Sequence, residues 1–169
     1  METLTEAEIR ALHEALEDEY QSWTSYDQVI RDFGEVRPFI NIREAEGRHI
    51  QALCRLFERS GLTIPENTWA QRVERHPSLQ AACHAAVAAE IANGEMYERL
   101  LQATDRTDIL TVLRNLQEAS QQRHLPAFER CVQRGGEGGG EGGGGRGRGG
   151  SGGGGPGQGT RRRGSCDSP

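Results

Sequence analysis

The chain contains no lysine: all 20 of its cationic side chains are arginine, a uniformity that fits genomic base composition and carries no functional meaning. Aromatic residues are scarce, with two Trp, three Tyr and four Phe in 169 residues. No stretch approaches the roughly 18 apolar residues of a membrane span, and the N-terminal Met1-Glu-Thr-Leu-Thr-Glu6 is acidic, unlike the basic-then-apolar start of a secretory signal. Neither a membrane partner nor a leader is therefore expected. Polar and apolar residues nowhere alternate long enough to suggest a sheet. The four cysteines, Cys54, Cys83, Cys131 and Cys166, form no C-x-x-C pair and no inward cluster, which argues against an iron-sulfur centre. They read as reduced thiols in a reducing compartment, so a cytoplasmic protein is expected.

What is abundant is glycine, and it is concentrated: 19 of the 23 glycines fall in residues 135–169. That segment cannot bury enough apolar surface to offset its ordering entropy, and a disordered Gly/Arg-rich tail is expected there. Residues 1–134 are then the single folded domain, long enough for a core that needs no disulfide. The tail holds five Arg and three acids, or +2, which leaves −7 on residues 1–134. An acidic body is the wrong electrostatic footprint for nucleic acid. Gly145-Arg-Gly-Arg-Gly-Gly150 and Arg161-Arg-Arg163 offer charge to RNA or an acidic partner, but without interleaved aromatics they read as a solvated tail.

Four long helical patterns make the fold class all-α. Helix A runs from about Thr5, where Thr5-Glu6-Ala7-Glu8 has the form of a capping box, to Phe33 before Gly34, with the inward stripe Leu12, Leu16, Glu19, Trp23, Tyr26, Ile30. Helix B runs from about Val36 or Pro38 to Ser60 before Gly61, with Phe39, Ile42, Glu46, His49, Leu53 and Leu56 on one face. A connection of about 17 residues follows, with Pro65 and a possible short helix near 67–73. It is long for a bundle loop and predicts a crossover. Helix C spans about Pro77 to Ala103, with Leu79, Cys83, Ala86, Glu90, Asn93, Tyr97 and Leu100 inward. Asp105 fits the cap of helix D, giving a C–D connection of one or two residues and an antiparallel pair. Helix D runs to about Gln133 with Ile109, Leu113, Leu116, Ser120, His124, Ala127 and Cys131 inward and a bend at Pro126.

Each of the first three stripes is interrupted by an acid. Glu19, Glu46, His49 and Glu90 lie within about one turn, or roughly 3.6 residues, of their helix midpoints, so in a bundle they converge on one layer. His124 lies about five residues, roughly 7 Å, from the midpoint of helix D, and a late start or a kink would be needed to bring it in. Three carboxylates in one apolar layer repel one another and raise each other's pKa unless cations are present. Carboxylate oxygen with imidazole nitrogen suits iron, manganese or zinc.

The segments Glu19 to Tyr26, Pro38-Phe-Ile-Asn-Ile-Arg-Glu-Ala-Glu-Gly-Arg-His49, Ala89-Glu-Ile-Ala-Asn-Gly-Glu-Met-Tyr97 and Ala119-Ser-Gln-Gln-Arg-His-Leu-Pro-Ala-Phe128 resemble the ferritin-like superfamily, nearest a rubrerythrin-like branch known mainly as a domain of unknown function. The resemblance covers most of residues 10–132. It implies an antiparallel four-helix bundle with a non-haem di-iron or related dinuclear site at Glu19, Glu46, His49, Glu90 and His124, with Tyr26 nearby. Ferritin-like bundles take one Glu from each of two helices and Glu-x-x-His from each of the others. Helix D departs from that pattern, with Gln121 where the sixth ligand should be. With two divalent ions the remaining ligands leave the site about +1 before water or hydroxide binds.

The implied chemistry is oxidation: Fe(II), oxygen or a peroxide handled at the metal pair. A rubrerythrin-style peroxidase would carry a rubredoxin-like donor on four cysteines, and its lack here implies an external electron-donor protein. Other readings stay open. The acids and histidines also fit buried ion pairs, His124 a capped core histidine, and the aromatic stripe of Trp23, Tyr26 and Tyr97 ordinary packing. Asn93 fits a residue that hydrogen-bonds a ligand. The bundle could be a non-catalytic interaction or sensing module with a structural metal. Nothing in the sequence sets the oligomeric state, so a homo-oligomer also stays open.

Overall fold

A computed structural model describes residues 3–135, and the expected disordered tail lies outside the described residues. Among the described residues the chain is all-helical: α1 (Glu6–Phe33), α2 (Phe39–Arg59), a short 3-10 turn (Trp69–Gln71), α3 (Leu79–Leu100), α4 (Thr107–Ala119), a π-helical turn (Ser120–His124) and α5 (Leu125–Gln133). None of these helices is long and apolar enough to cross a membrane.

Local chemistry sets the ends. Thr5 accepts from Glu8 N while the Glu8 carboxylate accepts from Thr5 N, the reciprocal capping box expected from the sequence. At the end of α2, Gly61 takes φ +68° while Leu62 N bonds Phe57 O and Gly61 N bonds Glu58 O, which satisfies carbonyls the helix leaves open. Ser78 caps α3 through Ala81 N.

The junction between α3 and α4 differs from expectation. The helix ends at Leu100 and the next begins at Thr107, with Arg106 rather than Asp105 at the cap position. Thr104 explains this: its hydroxyl accepts from Arg106 N and donates to Glu8 Oε1, which anchors a turn where one or two residues were expected.

The expected single helix D is three pieces. The Leu125 amide, immediately before Pro126, which has no amide to donate, bonds Ser120 O five residues back. The widened turn holds an extra residue and shifts the phase of α5, so Phe128 is fully buried where Ala127 was expected, and Ala127 is half-buried.

The thiol expectation is also corrected: Cys83 and Cys131 form a disulfide with a Cα–Cα separation of 5.9 Å, and no described cysteine is free. Both lie on inward stripes of packed helices, α3 and α5, where spacing along the chain gives no warning of contact.

Two apolar clusters form the core. One gathers Leu12, Leu16, Leu53, Phe57, Tyr97 and Leu113 with their neighbours; the other gathers Tyr26, Phe39, Ile42, Cys83, Phe128 and Cys131. Along α1 the first cluster precedes the second, along α2 and α3 the second precedes the first, and along α4–α5 the first again leads. The α2–α3 connection lies against α1: Tyr20 OH donates to Pro65 O, Asn67 to Thr24 Oγ1, Trp69 to Glu17 and Arg75 to Asp32.

Candidate metal centre

Between the two clusters each helix course carries the polar residues that interrupt its stripe. Glu19 lies on α1, Glu46 and His49 on α2 with the three-residue spacing that shares a face, Glu90 on α3 and His124 at the end of the π-turn. Glu19, Glu46, Glu90 and His124 are 2–3% exposed, which no set of charged side chains tolerates unpaired. His49 keeps a modestly exposed edge.

All five sequence-expected residues come together in two groups that share Glu46: Glu19, Glu46 and His49, and Glu46, Glu90 and His124. Within each group one ligand atom per residue lies within 4.8 Å of the others, so each could hold a metal ion. Glu46 directs its two oxygens to different sides. Its Oε2 is 2.8 Å from His49 Nδ1 and its Oε1 is 3.1 Å from His124 Nδ1. Glu19 Oε2 approaches His49 Nδ1 at 3.1 Å, and Glu90 Oε1 approaches His124 Nδ1 at 3.5 Å. The His124 nitrogen is nevertheless buried without a hydrogen bond. An imidazole nitrogen that faces two carboxylate oxygens without hydrogen-bond geometry to either is a donor set that a divalent ion fits.

The two halves are supported alike. Tyr97 donates to Glu19 Oε1, and Tyr26 donates to Glu90 Oε1 at 2.8 Å. Ser120, the first residue of the π-turn, donates to Glu90 Oε2. The aromatic stripe is thus partly a set of hydrogen-bond donors, which a count of core positions could not distinguish from packing. Gln121, at the expected sixth-ligand position, turns its amide to Glu90 O at 2.7 Å and Ser120 Oγ at 2.9 Å. Asn93 does not bond a ligand as expected; it holds Asp18. Asp18 is one of several acids on helix A, and spacing alone does not set it apart.

Electrostatics follow from crowding. Burial would depress the His49 imidazole, but the Glu19 and Glu46 carboxylates override it and push it up to about 10. His124 is likewise lifted against burial to about 9 by Glu46 and Glu90. Glu46, despite burial, is held below the usual carboxylate range by the two histidines and Glu19. Glu19 is raised well above it by burial and by the Glu46 charge. Burial, only partly offset by the Asn93 hydrogen bond, raises Asp18 to about 6. Without a metal, protons serve as the cations of this layer; a metal ion must displace them.

No protein-family model matches the chain, and no curated protein matches it. Among solved structures, the crystal structure of a hypothetical protein from Methanococcus jannaschii is similar, with a TM-score of 0.70 and 23% identity over 79% of this chain and 84% of that one. That likeness concerns the fold alone.

Proposed function

We propose that this is a ferritin-like, rubrerythrin-like protein that binds a pair of iron-class ions, with Glu19 and His49 on one, Glu90 and His124 on the other, and Glu46 shared. The observation that carries the reading is the division of Glu46, one oxygen to each histidine. An antiparallel course with a crossover from α2 to α3 is supported by the order in which the helices pass the two apolar clusters: α2 and α3 pass them in the same sense, which requires the connection to return along the domain.

Iron is favoured over manganese or zinc by the expected oxidation chemistry, and a bound iron pair would supply the one-electron steps that no side chain of this layer provides. The protein's own contribution is legible in its contacts. Glu46 fixes the spacing of the two sides. Tyr97 and Tyr26 hold the outer carboxylates of Glu19 and Glu90 in one orientation, so that less reorganisation is needed on metal binding. The apolar clusters on either side keep bulk water from the layer. Electrons for repeated turnover come from a separate donor protein.

Metal content per chain decides the matter. Wild type is expected to hold close to two ions and Glu46→Ala close to none; equal content in both sinks the reading. Addition of Fe(II) and oxygen to the metal-free protein then separates an oxidation site, which turns over, from a structural-metal module, which binds zinc and consumes no oxygen.

A further inference from the structure

On the α1–α3 seam a cleft of about 160 Å³ is lined by Asp18, Gln21, Ser22, Ser25, Tyr26 and Ala89, among others. Four of these, Gln21, Ser25, Tyr26 and Ala89, also line an adjoining cleft of about 320 Å³ that continues toward Phe39 and Ala86. The two cavities therefore share a wall that includes Tyr26, whose hydroxyl donates to Glu90. The smaller one carries the Asp18 carboxylate, the Gln21 amide and the Ser22 and Ser25 hydroxyls, and the larger one is lined in addition by Arg72, Glu74 and His76.

We propose that the smaller cleft between α1 and α3 is the route by which a divalent cation reaches the centre, with Asp18 as the carboxylate that passes it inward and Tyr26 as the last side chain before Glu90. The proposal rests on the dinuclear reading above and adds how the site is filled. A hydrated cation moving from water to a buried carboxylate layer must exchange its waters stepwise for other oxygens, and the amide of Gln21, the hydroxyls of Ser22 and Ser25 and the Asp18 carboxylate supply them in one place. Asp18 is half-buried, so it meets solvent on one side, while Glu46 and Glu90 act on it electrostatically from the other. A cleft with low-dielectric walls focuses that negative field outward and concentrates cations at its mouth. A separate observation points the same way: Asn93, 7% exposed, donates its Nδ2 to Asp18 and leaves its Oδ1 buried without a partner, an oxygen acceptor to spare beside the carboxylate.

The test is stopped-flow loading of metal-free full-length protein with Co(II), read by quenching of tryptophan fluorescence, with removal by excess chelator as the reverse reaction. Asp18→Asn is expected to slow loading roughly tenfold while the final Co(II) content equals that of wild type. Ser25→Leu, which fills the cleft without changing charge, is expected to slow loading and stripping by a similar factor and so leave affinity unchanged. Wild-type rates in Ser25→Leu overturn the proposal and move the route elsewhere, the modestly exposed edge of His49 being the next opening. A lower final Co(II) content in Asp18→Asn also overturns it, since Asp18 would then be a resident ligand. Absence of Co(II) binding by wild type removes the centre itself, and the route with it.

Discussion

The imidazole rings of His49 and His124 lie stacked, with centroids 5.6 Å apart and planes 20° apart, and both turn Nδ1 toward the Glu46 carboxylate. Residues 75 positions apart in the chain thus face one shared group, and each has a further carboxylate of its own.

That arrangement would make the two proposed ions separable. His49→Ala and His124→Ala are each expected to lower metal content from about two per chain to about one, because each removes a nitrogen from one group only. Metal analysis of the two single variants checks this; loss of both ions in either shows that the halves fill as a unit.

Tyr97→Phe is expected to destabilise the metal-free protein by about 1–3 kcal/mol, since it strips a buried carboxylate oxygen of its donor. Tyr26→Phe should cost less, because Glu90 Oε1 still faces the His124 imidazole at 3.5 Å while among the described residues Glu19 Oε1 has Tyr97 alone. Urea unfolding of both variants gives the order; a larger loss in Tyr26→Phe contradicts it.

Glu8 joins the start of α1 to the α3–α4 turn. The Thr104 hydroxyl at 2.7 Å is the main cause holding its carboxyl below the usual range, with Thr5 assisting against burial. A lowered folded-state pKa means that its contribution is full above the unfolded value of about 4.3 and disappears as pH falls through the folded value. Glu8→Ala is therefore expected to cost about 0.5–2 kcal/mol at neutral pH, the range for a lost cap. Denaturation curves should converge with wild type in strong acid; a gap that persists there shows that the loss is one of packing.

Gly94 lies under Gln121: a Cβ built there would come within 2.5–2.7 Å of the Gln121 side-chain amide. Alanine gains about 1 kcal/mol of helix propensity over glycine, but here it must push aside an amide that bonds Glu90 O and Ser120. Gly94→Ala alone is expected to be nearly neutral, and Gly94→Ala in a Gln121→Ala background stabilising by about 1 kcal/mol. Thermal unfolding of the four proteins in this cycle reads the coupling directly.

The capping box at Thr5 and Glu8 and the stop at Gly61 could both be read from the chain, because each is made by residues within a few positions of one another. The same holds for Glu19, Glu46, His49 and Glu90, whose place on an apolar stripe is a property of helical periodicity. His124 was legible as an inward residue but poorly placed, and only the π-turn, with its hydrogen bond from Leu125 to Ser120, seats it beside Glu46. The turn of Gln121 away from the ligand role, the tether of Asp18 by Asn93, the Cys83–Cys131 bridge and the Thr104 anchor all lie across 31 or more residues and depend on which helices are neighbours.

By itself, the sequence determined which residues are helical, which faces are apolar and where charge interrupts them, because those depend on spacings of three and four residues and on capping chemistry at the ends. Only the tertiary structure decided that a single carboxylate divides its oxygens between two histidines and that tyrosines from two other helix positions hold its neighbours. Those are contacts across helix seams, fixed by how side-chain volumes fill the space between the two clusters, and no local pattern encodes that packing.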